Sequence, residues 1–186
     1  MMLSHFLKVN TADIHKKTES TFKRINLMSS NFSVMDYKNL LTVQLVWHDV
    51  LEAHLSRQNI GYQYQNKAKL IENDLHQLSV LNTPFPEVKL PESLHPVGLI
   101  YVLEGSMLGG MFILKFLLNQ NIPEDALTFY QYCKSSGAKS WKAGQAFIDQ
   151  PEFLAEQEAI LKSATYAFEL MDEVMNLVLE KQELKG

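Results

Sequence analysis

Along this chain, stretches with apolar residues at helical spacing alternate with short polar or proline-rich breaks. Leu7 to about Leu27 reads as a first helix, with Ile14, Phe22 and Ile25 on its apolar side and Thr18 and Thr21 between them. Met28 to Phe32 is a polar break. Ser33 and Asp36 then form the pattern of a capping box. A long helix follows to about Gln58, with Tyr37, Leu41, Leu45, His48, Leu51, Glu52 and Leu55 on or near one side. Gly61 stands where a helix ends in a left-handed residue. A more polar helix over about Tyr64 to Leu81 suits the surface. Three prolines within 82–91 forbid continuous helix there. Ser93 is the expected cap of the next helix, with Pro96 in its first turn.

That helix, roughly Pro96 to Leu118, is the most apolar segment of the chain, yet it holds Gly105, Gly109 and Gly110. Each glycine weakens a helix by about 1 kcal/mol relative to alanine. Gly105 and Gly109 share one face, and Ser106 and Gly110 form a second stripe beside it. A helix stripped of side chains along one side bends easily and lets something press onto its backbone. The occupant is either another helix or a flat ligand.

Beyond it, Asn119 to Pro123 breaks the chain. Pro123-Glu-Asp125 opens a short helix carrying Phe129, Tyr130 and Tyr132, with its acids at the favourable end. Lys134 to Lys139, containing Gly137, reads as a loop, and Trp141, Ala146 and Phe147 as another short helix. Pro151 starts a long last helix to about Gln182. Its apolar side carries Ala155, Ala159, Ala164, Ala167, Phe168, Met171, Val174 and Met175. No strand and no internal repeat is expected. The pattern predicts an all-α fold in one domain over 1–186, a length that suits a single core.

Composition narrows the chemistry. Net charge is -4 with acids and bases interspersed, which does not suit a nucleic-acid surface. The single cysteine, Cys133, excludes an internal disulfide framework and any multi-cysteine metal site. His48 and His54 are not set in repeated Glu-x-x-His units, which argues against a di-iron carboxylate bundle. The N-terminus lacks a secretory pattern. Glu104 and Lys115 interrupt the one apolar stretch long enough to cross a bilayer. A cytoplasmic protein without a membrane span is the expectation.

Tyr101-Val-Leu-Glu-Gly-Ser-Met-Leu-Gly-Gly110 resembles the distal-helix motif of bacterial haem oxygenases, especially the biliverdin-producing type that supplies bacteriophytochromes. Thr11-Ala-Asp-Ile-His15-Lys-Lys-Thr-Glu19 is similar to the segment that carries that family's axial histidine. Phe129, Gly137 and Trp141 to Phe147 look like its late aromatic region. The resemblance implies a haem oxygenase-like multi-helix bundle with a kinked, glycine-rich distal helix. It implies haem as both substrate and cofactor, with His15 as the iron ligand. Contacts to haem would come from His15, Lys16, Glu19, Gly105, Gly109 and Gly110, and the reacting side would be lined by Gly105, Ser106 and Gly109. Dioxygen and an external reductase or ferredoxin-like donor would be the partners, and biliverdin, carbon monoxide and free iron the products. Animal members carry an aspartate where this chain has Ser106, which changes the groups that hold distal water.

The residues themselves leave alternatives open. His15, Thr18, Glu19 and Phe22 share one helix face, so Glu19 can fix the histidine tautomer. The same pair is also an ordinary surface contact. Lys16 or Lys17 could meet haem propionates or simply face solvent. Glu104, in so apolar a helix, requires partners. Besides an oxygenase, the chain could be a non-catalytic haem-binding or haem-sensing protein, a hydrolase with Cys133 as nucleophile, or a helical interaction module without haem.

Overall fold

A computed structural model describes residues 2–80 and 85–183 of the chain, without the side chains of 182 and 183. Seven α-helices lie among the described residues: α1 (Leu3–Asn10), α2 (Ala12–Thr21), α3 (Val34–Ser56), α4 (Ala68–Gln77), α5 (Pro96–Leu117), α6 (Thr128–Ile148) and α7 (Gln157–Glu183). Short 3-10 segments cover Phe22–Ile25, Glu124–Ala126 and Pro151–Glu156, and the described residues contain no strand. The all-α expectation holds.

The first expected helix is divided at Thr11. The Thr11 hydroxyl donates to the Leu7 carbonyl at 2.8 Å, in competition with the backbone, and such back-bonding bends helices. The chain then tightens into the 3-10 turn and closes at Asn26, a left-handed residue (φ 53°). The capping box of α3 is present: Ser33 N–H donates to Asp36 Oδ2 at 2.8 Å, and Asp36 N–H to Ser33 Oγ at 3.2 Å. Gly61 is left-handed (φ 69°), but α3 already ends at Ser56 with a right-handed cap at Arg57, so this glycine turns the connector and does not close the helix.

Three boundaries differ from the sequence pattern. Helix α4 is shorter than expected because the connector before it runs inward, sending Tyr62, Tyr64 and Lys67 toward α3 and α5. Of the prolines expected as a loop, Pro86 and Pro91 stand in non-helical chain, and Pro84 lies with residues 81–83 outside the described ones. The cap of α5 is His95, not Ser93. Pro96 disfavours helical backbone at residue 95, so the extended His95 becomes the last non-helical residue, and its Nδ1 accepts from Val97 N–H at 3.3 Å. The expected loop at Lys134 to Lys139 is helical, and α6 is continuous through Gly137, which lies directly against the Met107 backbone of α5. Asp74 of α4 caps that long helix by accepting from Thr128 N–H (2.9 Å) and Phe129 N–H (2.8 Å).

Helix α5 is the centre of the bundle and packs chiefly on α6 and α7. It is uninterrupted α-helix from Pro96 to Leu117, with no break at its glycines. It is long and apolar enough to cross a membrane, but 61% of its most apolar window is buried by its neighbours. Helix α7 supplies Ala164, Ala167, Phe168, Met171, Val174 and Met175 to the core, while Ala155 and Ala159 are exposed. Gly98 sets the approach of α5 to α7. A methyl group there would fall 2.9 Å from the Ala164 nitrogen and closer still to the Ile160 carbonyl oxygen. Both are backbone atoms and cannot rotate away. Gly98→Ala should therefore destabilise the fold by about 1–3 kcal/mol, as overpacking does. An unchanged denaturant midpoint would contradict this packing.

Candidate functional site

The open side of α5 follows from the packing of its other sides. Leu99, Ile100, Val102, Leu103, Met107, Leu114 and Leu117 are buried. The positions left outward are Ser106, Gly109, Phe112 and Lys115, with Gly105 partly covered. Gly105, Gly109 and Phe112 follow one another at i, i+4 and i+7, so they make one stripe. Phe112 is 69% exposed, an unusual state for a phenylalanine on a helix this apolar. A Cβ at Gly109 would meet nothing within 4 Å. A Cβ at Gly105 would only touch the Trp141 ring, at 3.6 Å. Nothing in the fold requires glycine at either place.

Gly110 is different. A Cβ there would lie 2.5 Å from Cys133 Sγ, so this glycine is a point of close approach of α5 to α6. Its bare side faces Cys133 and Tyr130, away from the open stripe, so the expected haem contact at Gly110 gives way to helix packing. The Ser106 hydroxyl donates to its own Leu103 carbonyl at 2.8 Å.

His15 lies on the outward side of α2, with its side chain 53% exposed. Its Nδ1 is 3.5 Å from Glu19 Oε1, so the pair expected from spacing forms, and Nε2 remains for a ligand. The ring is held edge-on against Phe168 of α7, with centroids 5.4 Å apart. The residue that opens α2 meets α5: Thr11 Oγ1 and the Tyr101 hydroxyl are 3.4 Å apart. His15 is four residues beyond Thr11 and Gly105 four beyond Tyr101, so each is about 6 Å along its own helix from this joint. Lys16 is exposed, whereas Lys17 is drawn to Asp172 of α7 at 3.7 Å.

Behind the stripe lies a buried polar cluster that spacing did not reveal. Glu104, next to Gly105 but turned inward, accepts from Lys67 Nζ at 3.2 Å and from the Tyr62 hydroxyl at 3.0 Å. The Lys67 ammonium also sits 3.7 Å above the Tyr64 ring. Glu52 of α3 accepts from Lys67 N–H (2.9 Å), Ala68 N–H (3.2 Å) and the Tyr64 hydroxyl (3.0 Å), and lies 3.1 Å from His48 Nδ1. So Glu104 has the partners its setting demanded. The signal in the sequence was the carboxylate itself; no pattern singled out Lys67 among the lysines.

Burial outweighs the nearby carboxylates and holds His48 below the ordinary histidine value. The ring is neutral, with Nδ1–H donating to Glu52 and a bare Nε2 that has no partner. Burial alone would push Glu52 up, but the hydrogen bonds from His48 and the Lys67 and Ala68 backbone leave it below the usual carboxylate value. His95 is likewise held low by burial, against the pull of Glu156. Histidines depressed in the fold take up protons on unfolding once pH drops below about 6.5. Stability is therefore fully present above that value and falls on acidification. Asp49 and Asp74, raised by burial, act in the opposite sense but from the carboxylate range, at lower pH. The urea midpoint should drop between about pH 7 and about pH 6; an equal or higher midpoint at the lower pH would contradict it.

Cys133 is not a nucleophile. It is fully buried, its sulfur is 3.8 Å from Met107 Sδ, and burial pushes the thiol up to about 12. A cavity of about 290 Å³ between α3 and α4, lined in part by Leu45, Val46, Asp49, Lys69 and Glu72, includes none of His15, Glu19, Gly105, Ser106 and Gly109. It is at the small end of ligand pockets. The face at Gly105 and Gly109 is an open surface.

The haem oxygenase family model matches residues 1–90, which carry α1 to α4 and His15; the glycine helix α5 lies beyond the matched residues. No curated protein matches the chain. Over these residues, just under half of its length, the chain is similar to the haem oxygenase family, and its all-helical fold agrees with that likeness.

Proposed function

We propose that residues 1–186 form one domain that opens haem to biliverdin, carbon monoxide and free iron, as the bacterial biliverdin-producing enzymes do. The observation that carries this reading is the bare outward stripe of Gly105, Gly109 and Phe112 on the most apolar helix of the bundle. A flat apolar ligand covers such a face at close range, and a side-chain-free backbone is what lets it approach. Haem fits the groups present. His15 offers Nε2 to iron while Glu19 orients the ring through Nδ1, and Phe168 limits its tilt.

Haem supplies the oxygen chemistry when bound. The chain's own residues set its course. Gly105 and Gly109 would put no bulky donor over the reacting side and would leave it open to dioxygen. The Ser106 hydroxyl, exposed and bonded only to its own helix, can turn outward and pass a proton to ordered water. Lys16, at the rim, suits a haem propionate. Electrons come from an external reductase or ferredoxin-like donor, and the setting is cytoplasmic.

Titration with haemin tests the reading. A sharp Soret band that saturates at one equivalent is expected. A spectrum of free haemin throughout would leave a helical interaction module in its place.

A further inference from the structure

The open stripe of α5 lacks the side chains that would lock the helix against rotation from that side. Its angular setting must come from behind. The only charged side chain on its buried side is Glu104, one residue before Gly105, and a helix turns by 100° per residue, so Glu104 faces inward while the stripe faces out. Glu104 is 2% exposed, and its partner Lys67 is fully buried. Its stem is also clamped, because a Cβ at Gly144 of α6 would be only 3.2 Å from Glu104 Cγ. Lys67 is in turn fixed to α3 through its backbone N–H to Glu52 and by the ring of Tyr64. One connected path therefore runs from α3 through the connector to α5 and α6.

Two charges removed from water are expensive to bury, and apolar side chains of similar size commonly fill such a space with no loss of stability. Packing alone does not call for an ion pair here. A directional contact does what an apolar one cannot: it fixes the rotation of α5 and its register along the axis.

We propose that Lys67 and Glu104 are a positioning pair that sets how haem seats on α5, and so which porphyrin edge is opened. The inference rests on the haem oxygenase reading above. Neither residue touches the ligand. A small rotation of α5 would swing the Gly105–Gly109 stripe, and displacements of about 1 Å at a reacting centre can cost 10²-fold in rate.

The test compares wild type with the double substitution Lys67→Met with Glu104→Met, which removes both charges and leaves neither unpaired. Thermal melting establishes that the variant folds. Ferric haem spectra and the isomers of biliverdin, separated by chromatography, are the readouts. The expected result is a folded variant that binds haemin with an altered ferric spectrum. One dominant isomer becomes a mixture, and turnover falls by about 10- to 100-fold. A folded variant with the wild-type spectrum and isomer ratio overturns the positioning role and leaves the haem reading intact. Wild type that binds no haemin overturns both. If the double variant does not fold, Glu104→Gln, which keeps the Tyr62 hydrogen bond, takes its place: a mixture of isomers supports the positioning role, and the wild-type ratio overturns it.

Discussion

Replacing His15 with alanine should abolish normal ferric haem ligation and lower turnover by more than about 100-fold, because loss of a mere outer partner of a metal ligand already costs 10–100-fold. The fold should barely notice. His15 is largely exposed, its partner Glu19 is on the same helix, and the Phe168 contact is a single ring edge. Added imidazole should restore part of the Soret band, since the space left by the side chain opens to solvent. Absorption spectroscopy of ferric complexes, with and without imidazole, checks this. An alanine variant with unchanged spectrum and turnover would remove His15 from the ligand role.

The second large effect should come from Gly109→Leu, and it should split stability from activity. No atom lies within 4 Å of where the new Cβ would stand, so the bundle accepts the side chain. Leucine is also the better helix former, by about 0.8–1 kcal/mol. The haem-free protein should melt at the same or a higher temperature than wild type. Yet the isobutyl group would lie on the open stripe between Gly105 and Phe112, the face proposed for haem. Haemin affinity and turnover should fall together, turnover by about 10²-fold or more. A glycine that costs stability and relieves no clash is what a functional surface looks like. If Gly109→Leu bound and degraded haem as wild type does, the stripe would not be the haem face. Gly98 shows the contrasting case, a glycine that backbone contacts with α7 demand.

The local signals were legible where a few neighbouring residues decide the outcome. Ser33 with Asp36 and the His15–Glu19 spacing rest on contacts within one turn, and both form. The central place of α5 followed from its apolar run. Ser93 is a local signal that misled, because Pro96 moves the cap to His95. The other failures were decided by distant residues. Gly137 reads as a helix breaker until Met107 packs against it and Asp74 caps the helix start. Gly110 and Gly109 are neighbours in sequence and look alike in the pattern, yet one is a helix contact and the other an open surface. Only the direction of α6 separates them. Lys67 could not be read at all, since a lysine is rarely buried and its carboxylate partners lie in two other helices, Glu52 in α3 and Glu104 in α5.

The most direct measurement follows one turnover. Purified protein is mixed with one equivalent of haemin and reduced with ascorbate under air, with catalase present, while the visible spectrum is recorded. A histidine-ligated Soret band should decay while a broad red-absorbing biliverdin band rises with it. A ligated spectrum that persists when a ferredoxin-type donor is also supplied would contradict it, and would make this protein a haem carrier or sensor.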